Sequence, residues 1–376
     1  EYIADMVREL RNCSASHMHQ LMIIRNKHVI YEGGFSPYPA GVWHVTYSMC
    51  KSVTNMAIGF LVDDGRLKLE DHLIDFIEPE SLIDRVKMKD ITIRNMLTMS
   101  TGVAFNETGA ISGNDWVNGY FRSKVKFTPG SQFEYNSMNT YMLSAIVGKI
   151  TGVMMFEFLK PRLFEPLGIT QVFWEESPQG ITKGGWGLFI RQEDAAKLGQ
   201  LYMQKGIWNG KRIISEKWIE ESTKLQIQPD KDDGYGYHIW MDVRPESFTY
   251  NGMLGQNVHC YPDIDTIVVT NAGNGEVFQG GRMTTIIRKY FGPDFHPADK
   301  LEPNPAAFHF LEVAKREAEG TIYRPDSIEG GGWSRASRRR KDNKKIQDTK
   351  SLLNKLNGVV YKMRDKGVGL FPLIMQ

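Results

Sequence analysis

Residues 48–51, Ser-Met-Cys-Lys, constrain this chain more than any other segment. Behind them, apolar residues recur at the spacing of one helix face: Val53, Met56, Ala57, Phe60 and Leu61. The spacing predicts a buried helix that ends near Asp63. Residues three apart share a helix face, so the Ser48 hydroxyl and the Lys51 amine are expected to meet. Because a buried lysine held neutral can activate a serine hydroxyl, the pattern predicts an acylatable serine.

The bare Ser-x-x-Lys pattern is weak by itself, because about one match is expected by chance in a chain of this length. The chain contains a second copy, Ser123 with Lys126. That copy runs into a Pro129-Gly130 turn signal and lacks an apolar helical stripe, so we interpret it as a solvated loop or short strand. The sequence that follows Ser48 therefore makes it the candidate nucleophile.

Composition narrows the class of protein. The chain has 376 residues, of which 41% are hydrophobic and 24% charged, which predicts two domains or one large domain with an insertion. A net charge of +2 does not favour nucleic acid or an anionic membrane as partner. The three cysteines, Cys13, Cys50 and Cys260, give no disulfide framework, and Cys50 is expected to be a small buried residue. Free thiols and the lack of a recognisable signal peptide favour a cytoplasmic location, although the start at Glu1 leaves a removed leader open.

The order of elements predicts one sheet built from both ends of the chain. Residues 20–24 and 28–31 are typical of a β-hairpin, and helical signals fill residues 67–180. Further elements are predicted downstream: helices at 192–205, 215–223 and 281–290, and strands at 235–240, 257–261 and 266–270. We therefore expect three parts: a sheet domain of residues 1–66 and 185–292, a helical insertion of residues 67–184, and a C-terminal extension of residues 293–376.

The C-terminal extension contains a basic run at residues 335–345 and the beginning of a further element near residues 352–361. No aromatic residues are interleaved with these charges, which favours a solvated linker over a nucleic-acid or membrane patch. His17 and His19 have no third ligand at a recognisable spacing, which favours surface residues over a metal site. We expect neither a metal nor a cofactor.

Three more motif segments follow Ser48 along the chain, and together with it they occur in a recognisable order: residues 133–143, 184–211 and 235–262. Together they resemble the serine hydrolases of the penicillin-binding-protein and class C β-lactamase superfamily, and within it the esterase and amidase branch that includes 6-aminohexanoate-dimer hydrolases. The resemblance covers about residues 20–290. It implies an α+β, β-lactamase/transpeptidase-like fold, in which an antiparallel sheet is flanked by helices and carries an inserted helical domain.

The resemblance also implies roles for particular residues. Ser48 matches the acylated nucleophile, Lys51 its base, and Tyr135 the tyrosine of the Tyr-x-Asn motif, which exchanges a proton with the leaving group and then with water. Ser137 stands where many members carry Asn and can still donate a hydrogen bond to Lys51 or to substrate.

The last motif of the superfamily, Lys-Thr-Gly or His-x-Gly, is best matched by Tyr250-Asn251-Gly252. Tyr250 replaces the cation of the penicillin-recognising members, which disfavours β-lactamase and cell-wall peptidase activity. Gly252 is expected to keep an edge strand slim for substrate approach. The amides of Ser48 and Met253 would then form the oxyanion hole.

Three hypotheses follow. The first is a cofactor-free hydrolase of a small ester, amide or short peptide-like substrate, and the second is a β-lactamase or D-Ala peptidase on the same fold. The third is a non-catalytic scaffold or binding protein, motivated by Ser137, Tyr250 and the basic segment. For Ser137 and Tyr250, structural and functional roles are evenly balanced. Trp186 and Trp240 are expected in the core or in a pocket wall.

Overall fold

The structure is a computed structural model that describes residues 1–104, 113–275, 281–298 and 302–321. By its contacts the chain divides into a first compact unit, Glu1–Gly320, and a second, Thr321–Gln376, of which only Thr321 is described. The basic run at residues 335–345 and the element predicted near 352–361 lie outside the described residues. The predicted division of the first unit into a sheet domain and a helical insertion stays a prediction.

A six-stranded antiparallel sheet contains strands from both ends of the first unit. Eleven strands are described: β1 (Met18–Arg25), β2 (His28–Gly34), β3 (Trp43–Val45), β4 (Val172–Trp174), β5 (Leu188–Arg191), β6 (Ile207–Trp208), β7 (Lys211–Arg212), β8 (Trp240–Met241), β9 (Phe248–Gly252), β10 (Gln256–Tyr261) and β11 (Thr266–Ala272). The order in the large sheet is β2-β1-β11-β10-β9-β8. This order confirms the predicted hairpin and a sheet assembled from both ends of the unit, because N-terminal β1 pairs with β11.

Helices cover the two faces of this sheet. Twelve α-helices are described: α1 (Tyr2–Asn12), α2 (Lys51–Asp63), α3 (Leu73–Phe76), α4 (Leu82–Met88), α5 (Ile93–Leu97), α6 (Trp116–Phe121), α7 (Ser137–Thr151), α8 (Met155–Leu159), α9 (Gln192–Met203), α10 (Glu216–Thr223), α11 (Arg282–Phe291) and α12 (Pro305–Ala318). Helices α9, α10 and α11 confirm the three helices predicted after residue 190. Helix α1 lies in a stretch for which the sequence analysis made no prediction.

Helix α2 lies at the centre of the larger hydrophobic core. All its residues from Lys51 to Leu61 are buried, so it is enclosed on every side rather than on one face. Two of its buried polar side chains donate to neighbouring segments: the Thr54 hydroxyl to the Gly184 carbonyl at 2.9 Å, and the Asn55 amide to the Tyr202 hydroxyl at 3.2 Å. A helix held this tightly at its start gives the adjacent Ser48 a fixed position.

The predicted strand at residues 235–240 is wrong in extent, since only Trp240–Met241 forms a strand. The chain folds back in a tight turn in which the Gly236 amide donates to the Ile239 carbonyl at 2.8 Å. A Cβ on Gly236 would lie 2.2 Å from the Ser222 carbonyl oxygen, so the backbone passes against another segment there. These tertiary contacts interrupt a stretch whose composition favours a strand.

Within the described ranges, no single helix is both long and apolar enough to cross a membrane. One pair of helices meets the requirement when taken together, by length and composition only: Ser137–Thr151 with Met155–Phe164, which are bent by 71°.

Candidate active site

The candidate nucleophile lies in a short 3₁₀ turn, Tyr47–Cys50, that runs directly into α2. Tyr47 has a φ of +47°, a conformation that is costly for a bulky residue and often found at functional sites. Ser48 is half-buried, and its Oγ lies 2.9 Å from the Lys51 Nζ. The predicted meeting of hydroxyl and amine is therefore present in the structure.

The Lys51 amine is enclosed, with only 1% of the residue exposed. Besides Ser48, its Nζ contacts the Ser137 Oγ at 3.0 Å and the Gly185 carbonyl oxygen at 2.7 Å. A neutral amine has two hydrogens and one lone pair. If the hydrogens go to Gly185 and Ser137, the lone pair is left for the proton of Ser48. The number and type of these partners suit a lysine that acts as a base.

Tyr135 and Ser137 lie at the beginning of α7, where the Asn136 side chain caps the helix by accepting from the Met138 amide at 2.9 Å. Ser137 is buried and is the first residue of the helix, which directs its hydroxyl at Lys51. The half-buried Tyr135 ring lies with its centroid 5.0 Å from the Lys51 Nζ. One helix start thus brings both predicted residues to the lysine.

The C-terminal end of β9 packs against the turn that carries Ser48. A Cβ on Gly252 would lie 2.2 Å from the Thr46 carbonyl oxygen and 3.1 Å from the Met49 amide nitrogen, so only glycine fits there. Met253 follows directly and is 37% exposed. Strand β8 pairs only with Phe248 and Thr249 of β9, so within the described part of the chain residues 250–252 have no strand partner on that side.

The structure does not bring the Tyr250 side chain to this group. Tyr250 is 1% exposed, and its ring packs against Tyr202 and Phe248 in the core. Burial raises the pKa of its phenol well above the usual value. A predicted substrate contact through Tyr250 therefore finds no support, because the ring is directed into the core rather than toward Ser48.

Gly184 and Gly185 contribute to the site in a way the sequence analysis missed. The Gly185 carbonyl accepts from Lys51, and a Cβ on Gly185 would lie 2.8 Å from the Ser137 carbonyl oxygen. Gly184 has a φ of +69°, and its carbonyl accepts from Thr54 and from the Cys50 thiol. The adjacent glycines were the available signal, since paired glycines often mark a close backbone approach.

The second Ser-x-x-Lys copy has no such geometry. The Ser123 hydroxyl donates to the Gly119 carbonyl at 3.1 Å, and Lys126 forms an ion pair with Glu134 at 2.7 Å. Val125 forms an isolated bridge with Val103, which agrees with the predicted loop or short strand. Ser123 is buried, but Lys126 is exposed whereas Lys51 is buried, so the burial of the lysine distinguishes the two copies.

Aromatic residues lie next to Tyr135 and next to Gly185. Its ring stacks on that of Trp240 with centroids 6.3 Å apart, and Trp240 also contacts Phe133 at 5.9 Å. Trp186 is half-buried, follows Gly185 directly and stacks on Trp116 at 5.8 Å. These contacts agree with the predicted placement of both tryptophans in a wall or core.

The remaining candidates are structural in character. Cys50 is buried, and burial raises the pKa of its thiol to about 12, which removes it as a second nucleophile. The His19 Nδ1 lies 3.0 Å from the His44 Nε2. Among the described residues, no three His, Cys, Asp or Glu side chains are grouped to hold a metal ion.

Fold and site together define the class: an α+β protein with an antiparallel sheet and a Ser-x-x-Lys pair whose lysine is buried. A family model described as Beta-lactamase matches residues 6–280. The chain belongs to this family, and it is a serine hydrolase related to 6-aminohexanoate-dimer hydrolase. The resemblance and the fold class drawn from the sequence are thereby confirmed.

Individual relatives are distant. The chain is 24% identical over 287 residues to the 6-aminohexanoate-dimer hydrolase of Paenarthrobacter ureafaciens, covering 66% of this chain and 70% of the relative. A penicillin-binding protein from Bacillus halodurans superposes with a TM-score of 0.60 at 17% identity, covering 77% of this chain and 98% of that one. EstCE1, a hydrolase with promiscuous acyltransferase activity, gives 0.63 at 14% identity, covering 77% and 98%. The two structures establish the shared fold alone.

Proposed function

We propose that this protein hydrolyses a small ester or amide through an acyl-enzyme on Ser48. The observation that carries the proposal is the Lys51 amine, buried and within 3.0 Å of Ser48, Ser137 and Gly185. A neutral Lys51 takes the Ser48 proton as the hydroxyl oxygen attacks the substrate carbonyl, and it becomes an ammonium with three acceptors already in position.

The backbone amides of Ser48 and Met253 are proposed to bind the oxyanion of the tetrahedral intermediate. The close approach of Gly252 to the Thr46–Met49 backbone supports this, because it holds the end of β9 against the nucleophile turn. A donor of this kind commonly contributes about 3 kcal/mol to the transition state. Tyr135 then protonates the leaving group and later helps to activate water, which its position over Lys51 supports.

Three features bear on the substrate. One relative is named for hydrolysis of the 6-aminohexanoate dimer. Residues 250–252 of β9 have no described strand partner on the β8 side, so an extended substrate chain could pair with them. Tyr250 provides no cation for a substrate carboxylate and is buried. We therefore favour a linear ester, amide or short peptide-like substrate over a β-lactam.

Three free thiols support a cytoplasmic location.

Intact-mass spectrometry after incubation with a fluorophosphonate tests the nucleophile. We expect one adduct on the wild type and on Ser123→Ala, which removes the serine of the second copy, and none on Ser48→Ala. An adduct on Ser48→Ala would refute the assignment.

Benzylpenicillin in parallel separates the two hydrolase hypotheses. We expect neither a penicillin adduct nor loss of penicillin from solution, together with Ser48-dependent turnover of p-nitrophenyl esters or anilides. A Ser48-dependent penicillin adduct or fast penicillin turnover would favour the β-lactamase or peptidase alternative instead.

A further inference from the structure

His238 combines two features that the reaction described so far does not use. Its φ is +57°, in the left-handed region where glycine is free of strain and a side chain is not, and only 3% of the residue is exposed. Non-glycine residues held in this way are concentrated at functional sites, where surrounding contacts maintain them. The chain uses glycine at nearby Gly234 and Gly236, so the imidazole at 238 needs its own explanation.

The hydrogen bonds of His238 join the two helices that carry the site. Its carbonyl oxygen accepts from the Ser52 hydroxyl at 3.2 Å, and its Nε2 lies 3.1 Å from the Thr140 Oγ1. Ser52 directly follows Lys51 on α2. Thr140 lies three residues after Ser137 on α7, hence on the same face of that helix. His238 therefore connects Ser52, which is next to Lys51 on α2, with Thr140, which lies about one helical turn from Ser137 on α7.

The imidazole is suited to this bridge because it is neutral. Burial holds the pKa of His238 well below its ordinary value, and Lys51 lowers it further whenever the lysine carries a charge. A neutral ring adds no second positive charge beside the lysine. In either neutral tautomer Nε2 can pair with the Thr140 hydroxyl, by donating to its oxygen or by accepting its proton.

We infer that His238 is a positioning residue, which fixes the separation of α2 and α7 so that Ser137 and Ser48 both stay within hydrogen-bond distance of Lys51. The inference rests on the proposed function of Lys51 as the base. His238 itself touches no reacting atom. Its effect therefore falls on the rate of acylation rather than on substrate affinity, because a misplacement of about 1 Å far from the chemistry can cost about 100-fold.

The test compares three variants of this protein by their rate of fluorophosphonate acylation and by kcat and KM for a p-nitrophenyl ester. His238→Gly removes the ring and relieves the φ strain; Thr140→Val removes the same hydrogen bond from α7 at constant shape; His238→Gln keeps an amide near the Nε2 position. Glu246→Gly is the matched control, because Glu246 has a φ of +56° but is exposed in a turn.

We expect acylation and kcat to fall about 10- to 100-fold in His238→Gly and in Thr140→Val, with KM within about threefold of the wild type. The double variant should be no slower than the slower single one, because both remove one bond. His238→Gln should recover most of the rate, and Glu246→Gly should acylate like the wild type.

Wild-type acylation in His238→Gly or in Thr140→Val, or multiplicative losses in the double variant, would overturn the inference and leave the proposed function standing. If His238→Gly does not fold, the acylation rates of the single variants Thr140→Val and His238→Gln provide the same test. A wild-type protein that gives no adduct at all would overturn the proposed function together with this inference.

Discussion

Replacing Ser137 by alanine tests the proposed chemistry at a single hydrogen bond. Lys51 is 1% exposed, so water does not replace the acceptor at 3.0 Å that this change removes. The bond is stronger after Lys51 has taken the proton, since hydrogen bonds to charged groups contribute about 1.5–3 kcal/mol and neutral ones about 0.5–1.5 kcal/mol. Only that difference, about 1–1.5 kcal/mol, raises the acylation barrier.

At about 1.36 kcal/mol per tenfold in rate, Ser137→Ala should slow acylation about 5- to 13-fold. The measurement is the time course of the phosphonylated mass at fixed pH. Ser137→Asn should restore much of the rate, because its amide oxygen can accept the same bond.

Ser144→Ala is the matched control for Ser137→Ala. Ser144 is a buried serine two turns along the same helix, and it donates to the Thr182 carbonyl at 2.7 Å without contacting Lys51. We expect it to lose about 1 kcal/mol of stability and to keep its acylation rate. Acylation of Ser137→Ala within twofold of the wild type, or equal slowing in Ser144→Ala, would refute the reasoning.

Three further predictions follow from the same geometry. Lys51→Ala should slow acylation by about 10²- to 10⁴-fold, as loss of a general base does, whereas Lys126→Ala in the second copy should react normally in the same mass assay. Gly184→Ala should lower the free energy of urea unfolding more than Gly180→Ala does. Both glycines have φ near +70°, but only at Gly184 would the new Cβ meet another side chain, the Cβ of Ser144 at 2.9 Å. Equal losses of stability in the two variants would contradict this. Cys50, with a pKa raised to about 12 by burial, should resist iodoacetamide at pH 8 in the native protein and react only as the pH approaches that value or on unfolding, as peptide mapping will show.

Local spacing made the centre of the site predictable. Ser48 and Lys51 are three residues apart at the start of a helix, so their contact depends on helix geometry and on no distant part of the chain. The hairpin at β1 and β2 and helices α9, α10 and α11 were predictable for the same reason. Tyr135 and Ser137 were identified from family resemblance, because nothing local indicates that residues more than 80 positions from Lys51 lie beside it.

Predictions failed where the surroundings, not the residue type, set the outcome. Strand periodicity places Tyr250 and Gly252 on one face of β9. It does not predict that Gly252 contacts the backbone around Ser48, nor that the Tyr250 ring packs against Tyr202. Residues 235–240 have the composition of a strand, yet contacts with Ser222 and a turn at His238 interrupt it.

The sequence by itself predicted the candidate nucleophile, its proposed base, the helix that carries them and the family, because these follow from short-range spacing and from motifs in order. Only the tertiary structure decided that Lys51 is buried and that the Gly185 carbonyl is its third hydrogen-bond partner. It also showed that His238 joins α2 to α7. A backbone carbonyl is the same in every residue, and burial depends on all the segments that pack around a side chain. The adjacent glycines at 184 and 185 indicate a close backbone approach, but the local sequence does not say which side chain that backbone meets or how deeply the side chain is buried.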